Sequence, residues 1–402
     1  MKTRVFRESV CEAGQILRDG GLVAVPTETV YGLAGNALDE SAVRRIYEVK
    51  GRPEVKPLSI MVPDDGAMER WCVDVPKAAH ALAARFWPGP LTIILRSGPE
   101  VPALTRAGGA TVGLRCPDHP LTLSLLRACG LPLAAPSANP SGAASPKTAE
   151  AVLAYFDGMI DGVIDGGACG IGRESTIIDL SAAPYRIVRP GALPEQEILD
   201  ALRGSLTVVG ITGGTGCGKT TALNVLRERG ALILDCDEIY HELTRTSEAL
   251  RAELTARFGP VYNGMTLNRK ALGAVVFSDP AALRDLNAIT HKYVEDELTR
   301  RLTEFALRGG TLAAIDAIGL LNISYAEKTA FNVAVTAPTE DRVQRLMRRE
   351  GISRDYALQR IGAQESNEYF AAHCDHVLEN TGTLAEFEQK CKEFFTEVLE
   401  HV

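Results

Sequence analysis

One octapeptide restricts this chain more than any other feature: Gly213-Gly214-Thr215-Gly216-Cys217-Gly218-Lys219-Thr220 fits G-x-x-x-x-G-K-S/T. It sits between an apolar run starting at Leu206 (Leu-Thr-Val-Val-Gly-Ile) and a helical pattern over Thr220–Arg229. Glycines let the backbone turn tightly and aim successive N–H groups inward around phosphate oxygens. The helix that follows adds the positive end of its dipole. A strand, such a loop and a helix in that order predict an α/β layer with a parallel sheet. Residues Gly213 to Thr220, with Thr221, are the expected cradle for ATP; Lys219 reaches the outer phosphates and the Thr220 hydroxyl meets Mg²⁺.

The stretch after the loop supports that reading. Strands are expected at Leu232–Leu234, Leu312–Ile315, Val333–Thr336 and His376–Leu378, with a long helical middle between the first two. Asp235 and Asp237 lie at the end of the first, where one carboxylate can take a proton from an attacking hydroxyl. Asp316 ends the second, the place of a metal-orienting acid. Either acid taken singly also reads as a helix cap or turn residue. Arg342, Arg345, Arg348 and Arg349 share a helix, and Arg345 and Arg349 fall on one face. A solvated charged face and a mobile lid over the transferring phosphate both fit them, with Arg354 and Arg360 as further candidates. His373-Cys374-Asp375-His376 leads into the last strand without a partner cluster and reads as structure, not as a metal site.

The 402 residues suffice for two domains. Arg189-Pro-Gly-Ala-Leu-Pro and a short helix Glu195–Leu202 ended by Gly204 mark the join, giving units 1–204 and 205–402. The halves share no repeat. Before Gly204 there are 21 basic and 23 acidic residues, after it 22 and 28, within a net −8. Neither half has the cationic excess that non-specific nucleic-acid binding needs. Nine cysteines include no C-x-x-C pair, the N-terminus lacks a signal-peptide core, and no apolar run could span a bilayer. The expectation is a cytoplasmic protein.

The first half alternates strand candidates (Leu22–Pro26, Leu58–Val62, Leu91–Arg96, Thr111–Arg115, Leu131–Ala135, Thr176–Leu180, Arg186–Arg189) with helical patterns (Ser41–Val49, Pro76–Phe86, Pro120–Cys129, Thr148–Phe156). The irregular spacing predicts a mixed α/β sheet, not a doubly wound one. No second phosphate loop occurs there. Small polar and cationic residues gather at strand and loop ends instead: Thr29, Lys50, Arg52, Lys56, Arg115, Ser137, Asn139, Ser145, Ser175 and Arg189. Such a set suits a triphosphate together with a carboxylate, although each residue singly reads as a surface charge or a turn residue.

In combination the motifs are less ambiguous. P-T-E-T-V-Y-G-L, K-G-R-P, W-P-G-P-L-T, G-L-R-C-P, A-P-S-A-N and E-S-T-I-I-D resemble the YrdC/Sua5 family of threonylcarbamoyl-AMP synthases across about 1–200. The resemblance implies an open α/β sheet with a wide cationic cleft that joins L-threonine, bicarbonate and ATP into threonylcarbamoyl-adenylate. It assigns threonine contacts to Thr29, Arg115 and Ser175, and nucleotide contacts to Arg52, Lys56, Thr111, Ser137, Ser145 and Arg189. Lys50 and Asn139 complete the signatures, with Lys50 and Arg52 screening charge during catalysis. It further implies hand-over of the adenylate to a tRNA threonylcarbamoyl transferase complex.

From Leu206 onward GITGGTGCGKTTAL, LDCDEIYHEL, THKYV, VAVTAPTEDRVQRLMRREGIS and CDHVLEN resemble dephospho-CoA kinase, a phosphate-loop kinase fold. That resemblance implies transfer of the ATP γ-phosphate to the 3′-hydroxyl of dephospho-CoA, with Asp237 as base, Lys219 catalytic, Thr220 and Asp316 on the metal, and Arg345 and Arg349 in the lid. The chain departs from the family's His-Pro pair at His291-Lys292 and from its acidic residue at Asn322. A kinase joined to a non-catalytic, RNA-binding or regulatory YrdC-like domain is the alternative to two activities.

Overall fold

The computed structural model describes residues 2–7 and 10–400. The chain divides into two compact units, Met1–Ser205 with Leu307–Gly309, and Leu206–Ala306 with Gly310–Val402.

The first unit is built on a ten-stranded mixed sheet. Its strands run in the order Arg4–Phe6, Gly162–Ile164, Val23–Val25, Gly32–Asn36, Leu133–Ala134, Ser59–Met61, Thr111–Arg115, Leu91–Arg96, Thr176–Asp179, Arg186–Arg189. Thr111–Arg115 pairs parallel with Ser59–Met61 and antiparallel with Leu91–Arg96, which pairs parallel with Thr176–Asp179. Side chains alternate between faces. Ile60, Ile93, Leu114 and Ile178 on one face are fully buried, while Ser59, Met61, Gly113, Arg115, Thr92 and Ile94 on the other line a cleft. The same four strands thus supply core on one side and a binding surface on the other.

Several elements went unread in the sequence. Arg4–Phe6 and Gly162–Ile164 have only three residues each, too short for a period. Gly32–Asn36 reads Gly-Leu-Ala-Gly-Asn, without one β-branched residue, yet pairs with strands on both sides. Cys11–Arg18 and Ala67–Trp71 are additional helices. Pro120–Cys129 falls where expected, with proline opening it and Gly130 closing it at φ +67°.

The second unit carries a five-stranded, wholly parallel sheet in the order Leu232–Asp235, Leu312–Asp316, Thr207–Thr212, Phe331–Thr336, His376–Glu379. Strands buried on both faces read as continuous apolar runs, and Val-Val-Gly-Ile is one. Helices Lys219–Glu228 and Leu384–Leu399 place Leu223, Leu226, Phe387 and Phe395 against Val209, Ile211, Val333 and Val335. Leu384–Leu399, beyond the last strand, was not anticipated; Thr383 and Glu386 open it as a reciprocal capping box. The helical middle also holds a small hairpin, Tyr262–Asn263 with Thr266–Leu267. Its helix Pro280–Leu307 runs unbroken through His291 and Lys292. A lysine there keeps the backbone N–H that a proline lacks. No helix among the described residues is long and apolar enough to cross a membrane.

Candidate active sites

In the second unit the phosphate loop leaves Thr207–Thr212 at the carboxyl end of the sheet, beside the strand ending in Asp316. The end of an open sheet is where ligands bind. Gly213, Gly216 and Gly218 all take positive φ, at +134°, +79° and +107°. A Cβ at Gly213 would lie 2.1 Å from the Val335 carbonyl oxygen, and one at Gly218 2.3 Å from Asn380 Nδ2. Only glycine meets both demands.

Side-chain donors hold the loop's carbonyls. Arg342 Nε donates to Thr215 O at 2.9 Å, Arg345 Nη1 to Gly216 O and Cys217 O at 3.3 Å each, and Asn380 Nδ2 to Cys217 O at 2.9 Å. Gln364 Oε1 accepts from the Thr215 N–H at 2.8 Å and from Arg342 Nη2 at 3.3 Å. In a trans peptide the carbonyl and the next N–H point opposite ways, so tying the Thr215 and Cys217 carbonyls also fixes the direction of the Gly216 and Gly218 amides.

That hollow, about 580 Å³ including its mouth, is lined by the loop from Gly214 to Thr220 with Asp316, Arg345 and Arg349. Lys219 Nζ donates to Gly213 O at 3.2 Å and stands 3.8 Å from Asp316 Oδ1. Asp316 Oδ1 is buried without a hydrogen-bond partner. Desolvation pushes the Asp316 carboxyl up to about 6, against the pull of Lys219 and with the help of Asp235 and Asp237. A buried, unpartnered carboxylate oxygen in the same hollow as Thr220 suits a hard divalent cation, which takes such oxygens together with phosphate.

The two aspartates of the D-x-D sequence separate. Asp235 caps the helix Cys236–Thr246, its Oδ1 accepting from Asp237 N at 2.8 Å and Glu238 N at 3.0 Å. Asp237 is exposed on the first turn and, with Thr221, stands outside the lining of the loop's hollow. The arginine helix, Thr339–Glu350, is neither a uniform solvated face nor a uniform lid. Arg342 is 3% exposed and serves as a brace. Arg345 is half-buried against the loop, Arg349 is exposed and pairs with Glu350, and Arg354 and Arg360 pair with Glu340 and Glu350.

In the first unit, Arg52, Arg115, Ser137, Ser175 and Arg189 line one cleft of about 850 Å³ including its mouth. Thr29 adjoins it: Arg115 Nη2 donates to Thr29 Oγ1 at 2.8 Å and to Glu28 Oε1 at 2.6 Å. The Arg115–Glu28 side chains are only 8% and 12% exposed, and Glu28 Oε2 also accepts from Asp118 N at 3.0 Å. Thr92 Oγ1 and Ser175 Oγ share a hydrogen bond of 2.9 Å. Arg189 Nη2 donates to Ser175 O at 2.7 Å and to Ser175 Oγ at 3.1 Å. Gly113 forms part of the floor, where a Cβ would crowd Thr92 Cγ2 at 3.2 Å.

Other expected residues stand back from the cleft. Lys50 is 3% exposed and donates to the carbonyls of Ser137 and, at 2.5 Å, Asn139. Burial, then Arg52, draws its ammonium down to about 8, with Glu174 opposing. It holds the Ser137–Asn139 turn from beneath. Asn139 Nδ2 closes the same turn onto Pro140 O and Ala143 O, and Ser145 Oγ donates to Glu174 Oε1 at 2.9 Å. Lys56 is exposed and lies outside the lining. Thr111 shares the face of Gly113 and Arg115 but opens its strand, at the end away from Arg115, and does not reach the cleft lining. Glu28, Thr92, Glu174, Gln364 and Asn380 were not singled out from the sequence. Glu28 and Glu174 sit inside motifs already read, beside Thr29 and Ser175, whereas Gln364 had no signal at all.

Comparison with known proteins matches the two halves of the chain to different families. Residues 15–191 match the Sua5/YciO/YrdC family model, described as telomere recombination, and residues 207–386 match the dephospho-CoA kinase model. The first half is 46% identical over 198 residues to threonylcarbamoyl-AMP synthase of Pyrococcus abyssi, spanning 49% of this chain and 58% of that protein. It is 36% identical over 201 residues to the Mus musculus threonylcarbamoyl-AMP synthase, spanning 48% of this chain and 69% of that protein. The second half is 32% identical over 192 residues to dephospho-CoA kinase of Geobacter sulfurreducens, spanning 47% of this chain and 98% of that protein. The chain thus covers little more than half the length of its Pyrococcus relative, and nearly all of its Geobacter one. It belongs to two families at once, Sua5/YciO/YrdC in its first half and dephospho-CoA kinase in its second.

Proposed function

We infer that the chain is a bifunctional enzyme, with residues 1–204 making threonylcarbamoyl-adenylate and residues 205–402 phosphorylating dephospho-CoA, each from its own ATP. The observation that carries the reading is the convergence of Arg52, Arg115, Ser137, Ser175 and Arg189 on one hollow, separate from a braced phosphate loop.

In the cleft, Arg115 with Thr29 and Ser175 forms the threonine end, while Arg52, Ser137 and Arg189 form the nucleotide end. Threonine's amine and bicarbonate give a carbamate with loss of water, and a carbamate oxygen attacks the α-phosphorus as pyrophosphate leaves. Both reactants are anions, so arginines fixed in place lower the barrier by screening and alignment. At the loop, Lys219 and the loop's amides grip the β- and γ-phosphates and Asp237 takes the proton of the attacking hydroxyl. Mg²⁺, held there by Thr220 and Asp316, would neutralise charge on the phosphates. Hand-over of the adenylate to a tRNA threonylcarbamoyl transferase complex agrees with a first half that has no cationic excess.

The test assays the full chain for threonine- and bicarbonate-dependent pyrophosphate release and for coenzyme A formation. Both activities are expected. Coenzyme A formation without pyrophosphate release would favour the regulatory alternative for the first half.

A further inference from the structure

Among the described residues lining the N-terminal cleft, Glu174 is the one acid; Arg52, Arg115 and Arg189 are the other charged groups there. Its Oε1 accepts from Ser145 Oγ at 2.9 Å, and its Oε2 lies 3.6 Å from Arg189 Nη1. Arg189 belongs to the nucleotide end proposed above, whereas Ser145 stands behind the cleft lining and holds Glu174 from there. A carboxylate therefore stands beside an arginine that receives phosphate in that reading, and an incoming triphosphate would meet it charge against charge. Either the carboxylate leaves or a cation bridges the two anions.

The backbone around Glu174 opposes its leaving. Its carbonyl accepts from Ala192 N at 2.8 Å. The next residue, Ser175, is gripped by Arg189 through both its carbonyl and its hydroxyl. Gly191 packs so closely that a Cβ there would sit 2.4 Å from the Ser175 carbonyl carbon. The carboxylate itself is 44% exposed, which leaves room for water. Mg²⁺ is commonly held by one or two carboxylates together with substrate phosphates, keeping several waters.

We propose that Glu174 anchors the divalent cation of the metal–ATP complex in the N-terminal cleft, directly or through a water, while Ser145 steadies its other oxygen. On nucleotide binding Arg189 exchanges a carboxylate for phosphate, and Glu174 exchanges an arginine for the metal. This deepens the nucleotide reading of the cleft and rests on it.

The test uses the full chain carrying Lys219→Ala, which removes nucleotide binding at the second site, and measures ATP affinity by calorimetry with and without Mn²⁺. The Lys219→Ala chain is expected to gain at least tenfold in ATP affinity when Mn²⁺ is present. Adding Glu174→Gln, which keeps the shape and an acceptor for Ser145, should reduce that gain to threefold or less while metal-free ATP binding holds or tightens. Glu174→Asp should keep part of the gain. An equal gain in both chains, or no gain in the parent, overturns the proposal. Equal weakening with and without Mn²⁺ also overturns it, and makes Glu174 a brace for Arg189. If the Lys219→Ala chain binds no ATP at all, the nucleotide reading of the cleft fails and the metal anchor fails with it.

Discussion

The two halves of this chain prepare for a polyphosphate in opposite ways. The second uses main chain: glycines admit a turn no other residue could make, Arg342, Arg345 and Asn380 donate to its carbonyls, and Gln364 accepts from the Thr215 N–H. The first uses side chains from strands and from the loops between them that converge on one cleft. A backbone cradle concentrates its recognition in a few covalently linked residues and has little tolerance for change. A side-chain cradle spreads recognition over strands far apart in sequence, and each position can be altered with partial loss.

Gly218→Ala should produce the largest effect. Added to a φ of +107°, its methyl would collide with Asn380 Nδ2, so coenzyme A formation should fall by about 10³-fold or more while pyrophosphate release stays within about twofold. Arg52→Ala should lower threonine-dependent pyrophosphate release by about 10²-fold and leave the kinase intact, as loss of one charge-assisted contact among several predicts. If a backbone methyl in the loop proved milder than Arg52→Ala, the contrast would be wrong.

Glu28→Gln tests how the cleft holds its own arginine. The Gln keeps the shape and an acceptor for Asp118 N but removes the charge paired with a buried guanidinium. KM for threonine should rise by about tenfold with KM for ATP little changed. Arg342→Met removes a brace of the loop and should raise the kinase's KM for ATP by about tenfold, again sparing the other activity.

The smallest effect is a pH dependence. The Lys50 ammonium is drawn down to about 8 by burial, so its charge is present below that pH and lost above it. Loss of a cation beside the Ser137–Asn139 turn should weaken nucleotide binding in the cleft, so KM for ATP in pyrophosphate release should climb by about twofold to fivefold from pH 7 to 9. Lys50→Met should flatten that rise. Stability runs the opposite way: with the folded value drawn down from 10.5 to about 8, the unfolded chain holds the proton more tightly, so native stability rises as pH climbs from about 8 toward 10.5.

How much was legible beforehand follows the same division. A backbone cradle is contiguous, so its glycines, lysine and threonine were readable as one string, and the parallel sheet followed from the strand before and the helix after. The cleft's residues were readable only as scattered motifs, and their convergence depended on a strand order that short elements such as Gly32–Asn36 help to set. Arg342 shows the limit on the other side. Its helix spacing fits a solvated face, but Thr215 O lies 127 positions away in the chain and decides its burial. Thr111 shows another limit: sharing a strand face with Arg115 does not place it at the same end of the strand. Gln364 and Glu174 act through partners that no local pattern specifies.

Equilibrium binding of ATP to the full chain, in the presence of Mg²⁺, tests the central claim most directly. Two nucleotides per chain are expected, with Lys219→Ala and Arg52→Ala each removing a different one and the double variant removing both. A stoichiometry of one, or loss of both nucleotides from either single substitution in a folded chain, would contradict the account.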